Sequence, residues 1–192
     1  MLLEAQGSAS GVVARLIADA GLGTAGARIL DVGTGVGGLA VAFATRFPES
    51  TIVGIDPWEP ALALAREKVA SAGLDGRVTL LNATVQELDD PDGFDLAWLP
   101  SFFIPEPVLD EAIARIHTLM RPEATLVFGM YDVTDEEPLA SAVHDLFTVR
   151  AGGSLVYPED ALARLRHAGF DGTRELERDW DAPLRLVVGR RS

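Results

Sequence analysis

Leu30-Asp31-Val32-Gly33-Thr34-Gly35-Val36-Gly37-Gly38 decides how this chain is read. A short apolar run ends in an acid and enters a turn in which glycine recurs at every second position. Gly33 and Gly35 let the backbone turn sharply and approach a ligand where a Cβ would clash. Leu39–Phe47 then carries a helical pattern, so a ligand in the turn would meet the unpaired N–H groups of a helix N-terminus. Gly33, Gly35 and Gly38 also satisfy the dinucleotide spacing Gly-x-Gly-x-x-Gly. That match alone leaves three readings open: a nicotinamide cofactor, another nucleotide-like cofactor, and a plain strand–turn–helix.

Composition narrows the function classes. With 192 residues, 48% of them hydrophobic, the chain suits one domain with a substantial core. The formal net charge is −13, with Lys and Arg scattered, so a nucleic-acid partner is not expected. There is no cysteine, which excludes disulfides, thiolate metal sites and cysteine nucleophiles. No apolar run approaches the roughly 20 residues that span a bilayer. The first residues do not form a signal peptide, so the expected location is cytoplasmic, with no membrane partner.

The pattern along the chain alternates strand and helix. Helical periodicity near residues 9–20 stops at Gly21 and Gly23. Strands are expected at 28–32, 51–55, 78–81, 94–99 and 124–129, with helices at 39–47, 61–72 and 107–120. The strands are continuous apolar runs rather than alternating ones, which implies a parallel sheet covered by helices on both faces. Helices at 138–147 and 158–168 follow, and then strands near 173–177 and 184–189. The link between these last strands is too short for a parallel crossover, so they should pair antiparallel. The expectation is one domain over 1–192, with a helical segment at 1–24 and a core at 25–192.

In an open α/β sheet the ligand sits beyond the carboxyl ends of the strands. The first strand ends at Asp31 and the glycine turn. The second ends at Asp56, followed by Pro57 and Trp58. The third leads to Asn82-Ala83-Thr84-Val85, and the fourth to Leu99 and Pro100. Asp56 lies a little over 20 residues beyond the turn, in register to accept hydrogen bonds from ribose hydroxyls. Asp31 ends a buried strand, where a charge needs a partner. A ligand ammonium group would supply one, and the amides of the turn would be an alternative.

Asp31-Val32-Gly33-Thr34-Gly35-Val36-Gly37, Gly54-Ile55-Asp56 and Phe94-Asp95-Leu96-Ala97-Trp98, in this order, resemble the class I S-adenosylmethionine-dependent methyltransferases, over about residues 10–190. The resemblance implies a Rossmann-like, seven-stranded, mostly parallel sheet with an antiparallel final strand. It implies S-adenosylmethionine as cofactor, with Asp31, Gly33, Gly35 and Gly37 around the methionine part and Asp56 on the ribose. Gly37 rather than Gly38 is then the third glycine of the motif. Trp58, Thr84 and Val85 would flank the adenine, with Pro57, Leu99 and Pro100 completing the set. Many members carry an acid at the Thr84 position, and this chain does not. Asp95, at the far end of its strand, is expected to be structural.

The acceptor half carries weaker signals. Leu99-Pro100-Ser101-Phe102 is not the Asn/Asp-Pro-Pro-Tyr/Phe of amino-directed enzymes, and Asp132 alone does not make the acidic set of metal-dependent catechol-type enzymes; no metal is expected. Phe102, Phe103 and Ile104 suggest an apolar acceptor wall. Residues 147–162, with Gly152-Gly153 before Tyr157-Pro158-Glu159, resemble bacterial small-molecule methyltransferases. A general base helps when the acceptor is a hydroxyl. His144, Tyr131 and Asp132 are the candidates, with His117 read as a helix-surface residue and His167 as a helix end. The expected activity is methyl transfer to a small, fairly apolar acceptor, at oxygen. Nitrogen or carbon transfer, a silent cofactor-binding subunit and a nicotinamide oxidoreductase remain the alternatives. With so short an N-terminal segment, either the lid is minimal or a homo-oligomer or partner subunit completes the pocket.

Overall fold

In the computed structural model, which describes residues 2–23, 25–131, 138–150 and 152–192, the glycine turn joins β1 (Arg28–Val32) to α2 (Gly38–Arg46). Ahead of it lies α1 (Leu2–Asp19). Then come β2 (Thr51–Ile55), α3 (Glu59–Ser71), β3 (Val78–Leu81), β4 (Phe94–Pro100), a 3-10 turn (Ser101–Phe103) and α4 (Glu106–Leu119). The chain closes with β5 (Met120–Tyr131), α5 (Pro138–Arg150), α6 (Pro158–His167), β6 (Phe170–Glu175) and β7 (Leu184–Arg191).

The seven strands form one sheet in the order β3-β2-β1-β4-β5-β7-β6. β7 runs antiparallel to both of its neighbours, and the remaining strands are parallel. The order reverses between β1 and β4, whose pairing aligns Asp31 with Trp98. That switch point opens a crevice at the carboxyl ends of these two strands.

Alternate residues along each central strand enter opposite layers, as strand geometry requires. Leu30, Ala97, Leu99, Leu126 and Phe128 pack with α4 and α6. Ile29, Leu96, Trp98 and Val127 pack with α1 and α2 on the other face. Phe43, Phe94 and Phe128 are fully buried, and each such burial contributes roughly 1.5–3 kcal/mol relative to exposure. Among the described residues, no helix is long and apolar enough to cross a membrane.

Four details differ from the sequence pattern. α1 begins at Leu2, well before the clear periodicity, and β6 begins at Phe170, where the buried Phe170 ring anchors the strand directly after Gly169. β5 begins at Met120, because Met120 pairs with Phe94 across a register shift. The local pattern hides this, since Glu123 adopts a positive φ of 68° inside the strand. His117 is half-buried rather than on the surface, with its ring set edge-on to Phe170 at 4.8 Å. Its Nε2 has no hydrogen-bond partner among the described residues. Asp95 accepts from the Arg28 amide at 2.8 Å and from Arg121, tying β1 to the start of β4 and β5.

A Cβ on Gly129 would fall 2.2 Å from the Trp98 ring. Gly129→Ala should therefore destabilise the fold by about 1–3 kcal/mol through overpacking, read as a lower urea midpoint at unchanged slope.

Candidate cofactor turn and acceptor pocket

Gly33, Gly35 and Gly37 all have positive φ, at 68°, 54° and 74°. The turn is bound to β2 by backbone bonds from the Gly33 and Thr34 amides to the Ile55 carbonyl, at 2.9 and 3.0 Å. Gly37 caps α2, and a Cβ there would sit 2.9 Å from the Cβ of Ala65 on α3. Gly33 and Gly35 differ in kind. A Cβ on either would meet protein no nearer than 3.8 Å, so at these two positions a side chain would fill open space beside the turn.

Asp31 is fully buried at the base of this turn. Its Oδ2 accepts a 2.7 Å hydrogen bond from the Thr34 hydroxyl. Thr34 reaches it only because its partner strand carries Gly54, where a Cβ would lie 2.8 Å from the Thr34 hydroxyl. Oδ1 has no partner among the described residues. Burial is the largest influence on this carboxyl and pushes its pKa up to about 7, helped by the nearby charge of Asp56 and opposed by the Thr34 hydroxyl and the Ala40 amide. A cation placed against Oδ1 would remove most of that penalty.

Asp56 stands on the opposite side of the turn. Its Oδ2 accepts from the Gly35 amide at 2.9 Å and its Oδ1 from the Trp58 amide at 2.8 Å. A carboxylate has about four lone-pair sites, so accepting capacity remains on both oxygens. Pro57 and Trp58 are exposed, Trp58 at 58%, while Val85 is buried. The Thr84 amide and hydroxyl both donate to Glu87, at 2.9 Å each, which lowers the Glu87 pKa. Leu99 and Pro100 are buried at the end of β4, and the Pro100 ring lies 3.8 Å from a Cβ built on Gly33.

A second cavity opens beyond β4 and β5, lined by Ser101, Tyr131, Asp145, Thr148, Leu155 and Tyr157 among others. Tyr131 is half-buried, which raises its pKa, so its phenol stays protonated near neutrality and acts as a hydrogen-bond donor. Phe102 packs against both Phe103 and Tyr131, with ring centroids 4.8 and 4.6 Å apart. His144 lies within α5, but its side chain, like the whole of Asp132, falls outside the described residues. His167 is exposed at the end of α6. Among the described residues the carboxylate lining the pocket is Asp145, which sequence reasoning passed over together with Thr148. The only signal was their spacing within one helix. Among the described residues, no cluster of His, Asp and Glu is arranged to hold a metal ion.

Residues 29–123 match the model of a methyltransferase domain family. The chain belongs to the class I S-adenosylmethionine-dependent methyltransferases. It is 35% identical to a demethylmenaquinone methyltransferase of Thermus thermophilus over 59% of this chain and 51% of the relative. It is 31% identical to a malonyl-[acyl-carrier protein] O-methyltransferase of Geobacter sulfurreducens over 80% of this chain and 59% of the relative. The solved structure of the mitomycin 7-O-methyltransferase MmcR superposes with a TM-score of 0.74 at 25% identity, covering 86% of this chain and 49% of that one. The chain thus spans about half of the relatives it matches. S-adenosylmethionine is the methyl donor of this family, and the residues of the turn fit it: Asp31 Oδ1 has no hydrogen-bond partner among the described residues, and the space above Gly33 and Gly35 is one that a Cβ would fill.

The raised Asp31 pKa sets a sign for stability against pH. Unfolded, the carboxyl loses its proton near 3.8; folded, it keeps it to about 7. The native state therefore binds more protons in this window, and stability falls as pH rises through it, then levels off. Between pH 5 and 8 the wild type should lose roughly 3 kcal/mol that Asp31→Asn does not lose, measured by urea denaturation of both proteins at both pH values.

Proposed function

We propose that the protein transfers the methyl group of S-adenosylmethionine to oxygen on a small acceptor of largely apolar character. The unmet Oδ1 of Asp31, buried beside an open glycine turn and facing a second acid across it, carries this reading. When bound, S-adenosylmethionine supplies a methyl group on an electron-poor sulfonium. The rest of the work belongs to the chain.

Asp31 holds the ammonium of the amino-acid end, while Gly33, Gly35 and Gly37 leave room for its backbone and sulfur. Asp56 accepts from the two ribose hydroxyls with the lone pairs left over after Gly35 and Trp58. Trp58 and Val85 flank the adenine, with Pro57 shaping the approach. Glu87, held by both Thr84 groups, brings a carboxylate to that corner in place of an acid at position 84. Leu99 and Pro100 form the floor between the turn and the acceptor pocket. Displacement at a methyl group is in line, so holding the acceptor atom in contact with the donor supplies much of the rate. Phe102, Phe103 and Tyr131 favour a flat apolar body, and the hydroxyls beyond β5 orient its polar edge.

Calorimetry checks the donor half. The protein should bind S-adenosylhomocysteine and not NAD; binding of NAD alone would overturn the reading. Asp56→Ala should weaken S-adenosylhomocysteine at least roughly hundredfold, because two hydrogen bonds to a charged group are lost. The ligand ammonium needs Asp31 ionised, and free Asp31 holds its proton up to about pH 7. Affinity should therefore rise about tenfold per pH unit below that value and flatten above it; a flat profile would refute the Asp31 assignment.

A further inference from the structure

The described side chains of α5 reverse the usual polarity of a surface helix. Thr148 is buried and Asp145 half-buried, and both line the small cavity beyond β4 and β5. Leu139, Val143, Leu146 and Val149 stand in solvent instead, at 79%, 42%, 58% and 57% exposure. A surface helix ordinarily turns its apolar stripe to the core and its polar residues to water. An apolar stripe turned outward marks a face that another surface covers.

The stripe matches itself. Leu139, Val143, Leu146 and Arg150 follow one another at intervals of four, three and four residues, which sets them along one line of the helix. When two such lines run antiparallel, Val143 of each copy meets Leu146 of the other, and Leu139 meets Arg150. The stem of Arg150 then lies on Leu139. Its charge reaches the end of the other helix that Asp135, Glu136 and Glu137 precede in the sequence. A parallel pair would set like charge against like, and antiparallel helix dipoles also oppose favourably.

We infer that α5 is a self-association surface whose partner is a second copy of this chain, the two helices crossing antiparallel about a point between positions 144 and 145. The area suffices. With Leu155 and Tyr157, exposed at the rim of the same cavity, the stripe leaves roughly 500 Å² of apolar surface uncovered, against the roughly 450 Å² of non-polar area that a standard interface takes from each partner. A membrane-surface helix would flank its apolar face with several Lys or Arg. Arg150 is the one such residue in α5, in a chain of net charge −13. Nothing in this pairing depends on the identity of the methyl acceptor.

Sedimentation of the wild type across micromolar concentrations should show a reversible dimer. Leu146→Glu puts a charge in the middle of the stripe and should raise the dimer Kd at least about hundredfold, with helical circular dichroism unchanged because the position is exposed. Arg150→Glu, farther out on the same line, should raise it about tenfold. Register is read with cysteine, since the chain has none of its own. When Val143→Cys and Leu146→Cys proteins are mixed and mildly oxidised, mass spectrometry should find the mixed disulfide well above its statistical share. A wild type that stays monomeric, a dimer that both charge variants leave within twofold, or homodisulfides in preference to the mixed one would each overturn the inference. A monomer that binds lipid vesicles would overturn it in favour of a membrane surface.

Discussion

The site depends on a carboxyl group buried where water cannot reach it. Asp31 sits at the end of a central strand with no exposed surface, one oxygen satisfied by Thr34 and the other left open. Such a group is costly, and several neighbouring features exist to make the arrangement possible. Gly54 on the paired strand leaves room for the Thr34 side chain, and the Gly33 and Thr34 amides grip the Ile55 carbonyl to set the turn. Gly35 turns its amide to Asp56. The result is two acids on either side of a glycine-rich turn, one with an oxygen left without a partner among the described residues and the other with accepting capacity to spare.

The sheet order converts this local device into a site. Because β1 lies between β2 and β4, the carboxyl ends of three strands converge on the turn. The end of β4 brings Pro100 against Gly33 on one side and places Ser101 in the second cavity on the other. The β4–β5 pairing then carries Tyr131 to the same rim. The tight contact of Gly153 with Phe102 draws the segment before α6 over the pocket, so that residues far apart in the chain enclose one small space.

The strand ends were legible in the sequence because each is an apolar run closed by an acid, a glycine or a proline, and such punctuation is local. Asp31, Asp56 and the three glycines could be read that way. The antiparallel β6–β7 pair was legible too, because a short connection permits no other pairing. The early start of β5 was not, since Glu123 in the left-handed region breaks the local pattern while the pairing of Met120 with Phe94 continues across it. Nor was the burial of His117, whose ring is covered by Phe170 from a distant strand. Asp145 and Thr148 were invisible for a similar reason. On a helix with an ordinary mixed pattern, nothing local tells a solvated carboxylate from one lining a cavity.

The sequence by itself determined the alternating architecture, the position of the glycine turn and the two acids that flank it. All of these follow from residue type and spacing over a few positions, where backbone freedom and hydrophobic periodicity decide the outcome. Tertiary structure alone decided that one oxygen of Asp31 has no partner among the described residues, that Thr34 fits only over Gly54, and that Asp145 and Thr148 of α5 join Ser101, Tyr131 and Tyr157 around the second pocket. Burial and hydrogen-bond completion depend on which distant elements cover a residue, and that is set when the sheet closes and its helices dock.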